Sequence, residues 1–336
     1  CSFYLRLPTK DRRIQRMKAT RPIFAETGSE KSRAGLRKSR RRLDHHLLDA
    51  FTGYLFIMPA LAMMLVFGLY PFLRTVQLSF TDWDGISKTF RYIGTDNYIQ
   101  AFQDKIWWLA MKNGLLLSVM ALIVMVGLAL LLAVLVDRGL RGASFYRAAF
   151  YVPTLLSGIV VAIIWKWLYQ PIGGPINQLL SAIGLGFLGK AWLGDSSTAL
   201  WAVSAASIWQ GIGSPFLLFL AGLQGIPDEL YESARLDGAN ETQIFTRITI
   251  PLLIPIIGLI SILTVLGAMQ VFNIVIALTN GGPGYATEVP VLHIYRQAFK
   301  NLRFGYATSL SMIFGMALLV LSLLQLWLSR KAGNRE

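Results

Sequence analysis

The stretch ELYESARLDGANETQIFTRITIPLLIP, Glu229 to Pro255, begins with acids and small residues and slides into an apolar run. It opens like a helix: Pro227 fixes the first φ, and Asp228 and Glu229 lie at the positive end of the peptide dipoles. The spacing predicts a helix through Glu232, Ser233, Ala234 and Arg235. That helix stops at Leu236 to Ala239, where Gly238 can take a positive φ that other residues resist. A second helix from about Asn240 would set Ile244, Phe245 and Ile248 on one face before Pro251 opens the next apolar run. Two short helices joined at a bend, with small residues permitting close approach, make a surface that another protein can grip. The blander reading is a surface hairpin that caps its own bundle.

The flanks of this hairpin set the fold class. The chain has 336 residues, of which 54% are hydrophobic and only 15% charged, and its mean hydropathy is +0.51. That is too apolar for an ordinary soluble domain. Six stretches, approximately 51–72, 113–136, 149–169, 198–222, 252–278 and 306–329, are long enough to cross a bilayer. Each residue rises about 1.5 Å, and the hydrocarbon core is about 30 Å thick. Helices satisfy their own backbone in lipid, and the short alternating segments of a barrel do not appear. The expectation is an all-α polytopic membrane protein with about six transmembrane helices.

The first fifty residues carry fourteen Lys/Arg, including RKSRRR at Arg37 to Arg42, against five Asp/Glu. The positive-inside rule therefore puts the N-terminus in the cytoplasm. Six crossings return the C-terminus to the same side, where Arg330, Lys331 and Arg335 agree, as do Arg138 and Arg141 after the second span. The hairpin, at 223–250, falls inside by the same count, although Arg235 and Arg247 do not argue for it by themselves. The domain reading is a basic tail over 1–50, a membrane domain over 51–330 and a short tail over 331–336.

Several other chemistries are weighed against these residues. The basic tail lacks the interleaved aromatics of a nucleic-acid arm, and contact with anionic lipid explains it as well. His45 and His46 are a weak metal signal, and one cysteine allows neither an internal disulfide nor a Cys-based zinc site. Cys1 is read as a truncated or odd start, because a lipoprotein anchor would put the basic tail outside. GLGFLGKA, Gly184 to Ala191, imitates a phosphate loop but carries Ala191 where Ser or Thr belongs, and no strand precedes it. TNGGPG, Thr279 to Gly284, reads as a turn where the fifth helix leaves the membrane. None of the six spans contains Asp, Glu or His, the usual relays of an ion-coupled carrier, and Lys166 can snorkel from its span end. If the chain pumps, a partner supplies the work.

ESARLDGAN with the following Phe245, Ile248 and Pro251 resembles the cytoplasmic Glu-Ala-Ala loop of sugar-type permeases of ATP-binding-cassette (ABC) importers, the class of maltose and glycerol-phosphate transporters. SFTDWD at Ser79 to Asp84, NYIQAF at Asn97 to Phe102 and LTNGGPGYATE at Leu278 to Glu288 extend the resemblance over about residues 50–330. Ser233 departs from the family's Ala but is small enough to leave docking intact. The resemblance implies a type I ABC importer permease fold in a bacterial or archaeal inner (plasma) membrane. It also implies a second permease subunit, two cytoplasmic ABC ATPases and an extracytoplasmic solute-binding protein. No cofactor would sit on this chain, since ATP and Mg belong to the ATPase, and the chain would not itself be an enzyme. ATPase coupling would fall to Glu232, Ser233, Ala234, Asp237, Gly238, Ala239 and Phe245. The rival readings are an ion-coupled secondary carrier, which the missing intramembrane carboxylates oppose, and a membrane enzyme, which no His, Asp or Cys cluster supports.

The solute path is read from spacing in the fourth apolar run. Ser207, Gln210, Gly211 and Ser214 stand at i, i+3, i+4 and i+7, a small and polar stripe on an otherwise greasy helix. Close helix packing would explain the stripe too. Counting back from Glu232, the resemblance places it on the helix that lines the family's cavity, and counting forward from Pro251 brings Thr264, Gly267 and Ala268 toward it. Ala268 is apolar where a sugar-binding amide would be expected, so either Gln270 or the partner permease would supply that contact.

Overall fold

A computed structural model of the chain describes residues 54–137 and 142–333. The tail 1–50 with Cys1, His45 and His46, together with Arg138, Arg141 and Arg335, lies outside the described residues. The chain divides at Leu69 into two units. Residues 54–69, the described part of the first, are helical and exposed throughout.

Apolar runs become helices because a bilayer leaves backbone groups no other partner. Among the described residues, four helices are long and apolar enough to cross a membrane, and two bent pairs bring the number to six if each pair is one span. The first long helix is α1 (Tyr54–Leu78). It runs past its expected end near 72 because the Thr75 hydroxyl bonds the Pro71 carbonyl and Arg74 bonds Gln77, so polar residues continue the helix. After the short α2 (Asp96–Gln103), α3 (Lys105–Asp137) runs 33 residues, about 50 Å.

The expected third span breaks into α4 (Ala143–Leu155) and α5 (Gly158–Leu168), whose axes differ by 101°. Leu156 and Ser157 are extended between them, and the Ser157 hydroxyl caps α5 by accepting from the Val160 N–H. Past the short helix α6 (Pro175–Ala182), the fourth span bends by 45° at Ile212 between α7 (Ala199–Gly211) and α8 (Gly213–Leu223). Pro215 has no N–H to give the carbonyl one turn back. Gly213 lets α4 come close: a Cβ there would meet Thr154 Oγ1 at 2.5 Å and the Phe150 carbonyl oxygen at 2.8 Å.

The hairpin consists of α9 (Asp228–Leu236) and the start of α10 (Glu241–Met269). The second hairpin helix is therefore not short. It continues through Pro251 and Pro255 into the fifth span, because a wider π turn at Phe245–Thr249 absorbs the donor that Pro251 lacks. That span ends at Met269, not near 278, since Phe272 leaves helical geometry. The rest of the run forms α11 (Asn273–Leu278). Last come α12 (Pro290–Tyr295), its π turn Arg296–Lys300, and α13 (Phe304–Gly333).

Small residues set the packing. Ala129 and Ala133 of α3 meet Phe216, Phe219 and Leu220 of α8, with Leu253 and Ile260 of α10 closing the cluster. The two sequence motifs near the end of α1 interlock. Asn97 donates its amide to the carbonyls of Ser79 and Thr81, at 3.0 and 2.8 Å, and the Ser79 and Tyr98 hydroxyls bond at 2.7 Å.

Candidate functional site

The breaks in the two bent spans meet at one cavity of about 360 Å³. Leu117, Ala121 and Met125 of α3 form one wall, α7 and α8 a second, and α10 a third. Ser207, Gln210, Gly211 and Ser214, expected from spacing, and Thr264, Gly267 and Ala268, expected from the resemblance, line it together. Gln270 does not. It is exposed past the end of α10, outside the cavity wall, because the helix stops at Met269. Thr154 and Ser204 also line the cavity. Ser204 stands three residues before Ser207 and extends the same stripe, whereas Thr154 arrives through the α4–α5 break, which no spacing reveals.

The polar groups of this cavity have different standing. Gln210 donates its side-chain amide to the Leu156 carbonyl at 2.8 Å, and the Thr154 hydroxyl donates to the Gln210 carbonyl at 2.8 Å. Gln210 thus closes the backbone of the broken span, and only its side-chain oxygen stays free of those bonds. The Ser207 hydroxyl is buried with no partner among the described residues. A largely apolar hollow with a few such groups is the usual form of a small-molecule site.

At the Asp137 end of α3, the hairpin folds as a self-capped unit. Asn240 and Gln243 cap each other's backbone, at 2.9 and 2.8 Å, and Gly238 turns the chain at φ +80°. A pocket of about 570 Å³ lies there, with Asp137, Asp228, Tyr231, Glu232, Arg235 and Phe245 among its lining. Of the expected coupling residues, Glu232 and Phe245 face it. Ser233, Ala234, Asp237, Gly238 and Ala239 do not line it, because they occupy the end of α9 and the bend, with Ser233, Asp237 and Gly238 exposed. Arg235 and Glu241 pair at 3.7 Å on the surface, a contact worth at most about 1 kcal/mol.

At the Asp104 end of α3 lies a feature absent from the sequence reading. Glu288 is fully buried, its carboxylate 3.2 Å from Arg296 and 3.4 Å from Nδ1 of His293. Nε2 of His293 lies 3.2 Å from Asp104, which also accepts from the Tyr306 hydroxyl at 2.9 Å. Asn113 of α3 holds the loop by donating to the carbonyls of Ala286 and Glu288. Burial pushes the Asp104 carboxyl up. The Trp107 N–H, the Tyr306 hydroxyl, the His293 charge and the Ile106 N–H outweigh that and hold it below the usual carboxylate range. Among the described residues, no group of three or more His, Cys, Asp or Glu is gathered to hold a metal ion.

Residues 125–334 match the family described as binding-protein-dependent transport system inner membrane component. The chain is 40% identical over 285 residues to the "Probable ABC transporter permease protein YurN" of Bacillus subtilis, covering 84% of this chain and 97% of that one. It is 34% identical over 332 residues to the diacetylchitobiose uptake system permease protein NgcF of Streptomyces coelicolor, covering 95% and 94%. Its fold is similar to a chain of a bacterial alginate ABC transporter solved in complex with alginate pentasaccharide-bound periplasmic protein. The TM-score is 0.75 at 26% identity, covering 87% and 98%.

Proposed function

The chain belongs to the binding-protein-dependent transport system inner membrane component family and is a multi-pass membrane permease of an ABC importer; on that premise we propose that its cargo is a carbohydrate. An extracytoplasmic binding protein hands over the sugar, the cavity at Ser207, Gln210, Ser214 and Thr264 forms this subunit's half of the path, and a second permease forms the other. The hairpin faces the cytoplasm, as both termini do, and seats on one of two ATPases through Glu232, Phe245 and the bend at Gly238.

The observation that carries this reading is the continuity of α10. One helix starts in the hairpin at Glu241 and ends beside the cavity, where Thr264, Gly267 and Ala268 form the wall. Its 29 residues make a rod of about 43 Å. A push on the hairpin therefore moves the cavity wall without a soft joint between them, apart from the single π turn. ATP and Mg act on the ATPase, and this chain converts their work into displacement. Secondary transport is disfavoured, because among the described residues no acid or His lines the cavity.

Reconstitution with the partner subunits tests the reading. Sugar uptake should require the binding protein and ATP hydrolysis, and uptake driven by an ion gradient without ATP would overturn it. Gln210→Leu should lower uptake several-fold while basal ATP hydrolysis persists, since it frees the Leu156 carbonyl and removes a polar group from the wall. Unchanged uptake kinetics in this variant would reduce the stripe to packing.

A further inference from the structure

We propose that residues 169–198, between α5 and α7, form a lipid-embedded cap: its apolar side sinks into the bilayer leaflet away from the hairpin, and Lys166 at its base pairs with a phospholipid phosphate. The hairpin follows α8 and the cap precedes α7, so the bent pair α7–α8 separates them. The inference depends neither on the cargo nor on which face meets the cytoplasm.

The cap is turned inside out for a segment in water. On α6, Ile176, Leu179 and Leu180 share one face with Ile183 just past its end, yet no residue of this helix is buried. Ile172 is 93% exposed and Phe187 78%, and Leu179 and Ile183 are exposed as well. The polar groups turn inward instead. Asn177 donates its amide to the carbonyls of Pro171 and Lys190, both at 3.1 Å, and accepts from the Trp192 indole at 2.8 Å. The cap's only charged residues are Lys190 and Asp195, and Asp195 accepts from the N–H and the hydroxyl of Ser197, both at 2.8 Å. A segment that closes its polar groups on itself and shows its apolar ones suits a setting poor in water.

The attachment of the cap says what covers this face. Trp209 of α7, Trp165 of α5, Tyr169 and Trp192 form a row of rings whose successive centroids lie 5.9, 5.2 and 6.3 Å apart. The Tyr169 hydroxyl ties the row to α7 by donating to the Ala202 carbonyl at 3.1 Å. Trp and Tyr rings gather where a span meets the lipid headgroups, so the row sets the cap at that level. The apolar side of the cap also continues the exposed stripe of α5, where Ile159, Ile163 and Trp167 follow one another at helical spacing. A groove of about 580 Å³ lies where α5 meets the cap, with Ile163, Lys166, Trp167, Pro171 and Leu193 in its wall. The Lys166 amine has neither an ion pair nor a hydrogen bond among the described residues. An acyl chain matches the apolar wall, and the ammonium can reach the phosphate of the same lipid from its flexible stem. A partner protein that docks and parts in every cycle would need a polar rim, which the side around Leu179, Ile183 and Phe187 lacks.

The test places a fluorophore on the cap of the assembled transporter in vesicles of phosphatidylcholine and phosphatidylglycerol. Cys1, the chain's one cysteine, becomes Ser, cysteines of the partner subunits are replaced, and Phe187→Cys or Ser196→Cys carries a bimane. Both positions are exposed, so neither substitution disturbs packing. A nitroxide near the top of the lipid acyl chain should quench the Phe187 label several-fold more than the Ser196 label, and aqueous iodide should do the reverse. Iodide quenching of both alike, without lipid quenching at Phe187, overturns the proposal. Protection of the Phe187 label by added binding protein also overturns it and makes the face a docking site. For the groove, native mass spectrometry of the detergent-purified transporter should show phosphatidylglycerol retention falling several-fold in Lys166→Gln, in a complex that keeps its subunits. Equal retention would remove the phosphate from Lys166. Neither readout requires transport, so a failure here is separate from a failure of the proposed cargo.

Discussion

The hairpin and the buried charge chain stand at the two ends of α3, and both are polar features of a greasy protein. They satisfy their polar groups in opposite ways. The hairpin closes its bonds within a few residues: Asn240 with Gln243, and α9 with the turn at Gly238. The charge chain closes its bonds across the fold, with His293 and Asp104 separated by 189 positions. A locally satisfied unit leaves its outer face free for a partner. A unit satisfied over long range spends its side chains on holding helices together.

Glycine substitutions at the two ends should show the widest contrast. A Cβ at Gly305 would overlap the Thr81 carbonyl oxygen and stand 2.9 Å from the carbonyl carbon, both backbone atoms that cannot yield. Gly305 also donates to the Trp83 carbonyl at 2.8 Å. Gly305→Ala should therefore cost about 3 kcal/mol or more, leaving little assembled protein. At Gly238 a Cβ would meet nothing within 4 Å, so Gly238→Ala costs only the left-handed φ, about 1–2 kcal/mol. Melting temperatures of both variants check this, and equal losses would erase the distinction between the ends.

Glu232→Lys sharpens the contrast from the hairpin side. Glu232 is exposed and makes no contact with another side chain among the described hydrogen bonds and ion pairs. Reversing its charge should leave the stability of the chain within about 0.5 kcal/mol of wild type, with the melting temperature nearly unchanged. Uptake and co-purification of the ATPase should nevertheless be lost. Full ATPase recovery with wild-type uptake would make the hairpin a cap and nothing more.

Acid should act at the other end. The Asp104 carboxyl is held below the usual value of 3.8 in the fold. A group with a depressed folded value stabilises the protein above its unfolded value, and that stability is lost as pH falls through the folded value. Melting temperature should therefore decline on acidification below about pH 4, and decline less in Asp104→Asn. An identical acid profile in the variant would remove Asp104 from the account.

What the sequence disclosed follows the same division. Apolar length announced the spans, the Pro–Asp–Glu start and Gly238 announced α9, and i, i+3, i+4, i+7 spacing brought four cavity residues to one face. What it concealed was tertiary. Whether Pro251 would end a helix depended on a π turn, and the break at Leu156 depended on Gln210, which lies 54 positions away. The sequence windows of the spans hold no acid, although α3 ends on Asp137 and α10 starts on Glu241. That pattern gave no sign that Glu288, in a short segment between spans, would be fully buried.

Among the variants expected to lose stability, Asn240→Ala loses least. Its side-chain oxygen accepts from the Gln243 N–H at 2.9 Å, and Gln243 returns the bond to the Asn240 N–H at 2.8 Å. Asn240→Ala removes the first bond and weakens the second by loosening the turn. Both backbone groups lie in an exposed bend, so water replaces what is lost and the cost should stay near 1 kcal/mol. Asn113 makes the corresponding bonds at the other end, to the carbonyls of Ala286 and Glu288, where it is buried and water cannot follow. Asn113→Ala should cost about 1–3 kcal/mol for each carbonyl stranded there. The difference in melting temperature between these two variants therefore measures local against long-range satisfaction directly. Should Asn240→Ala prove the costlier of the two, the hairpin owes its shape to contacts with the bundle, and its reading as a self-contained docking unit fails.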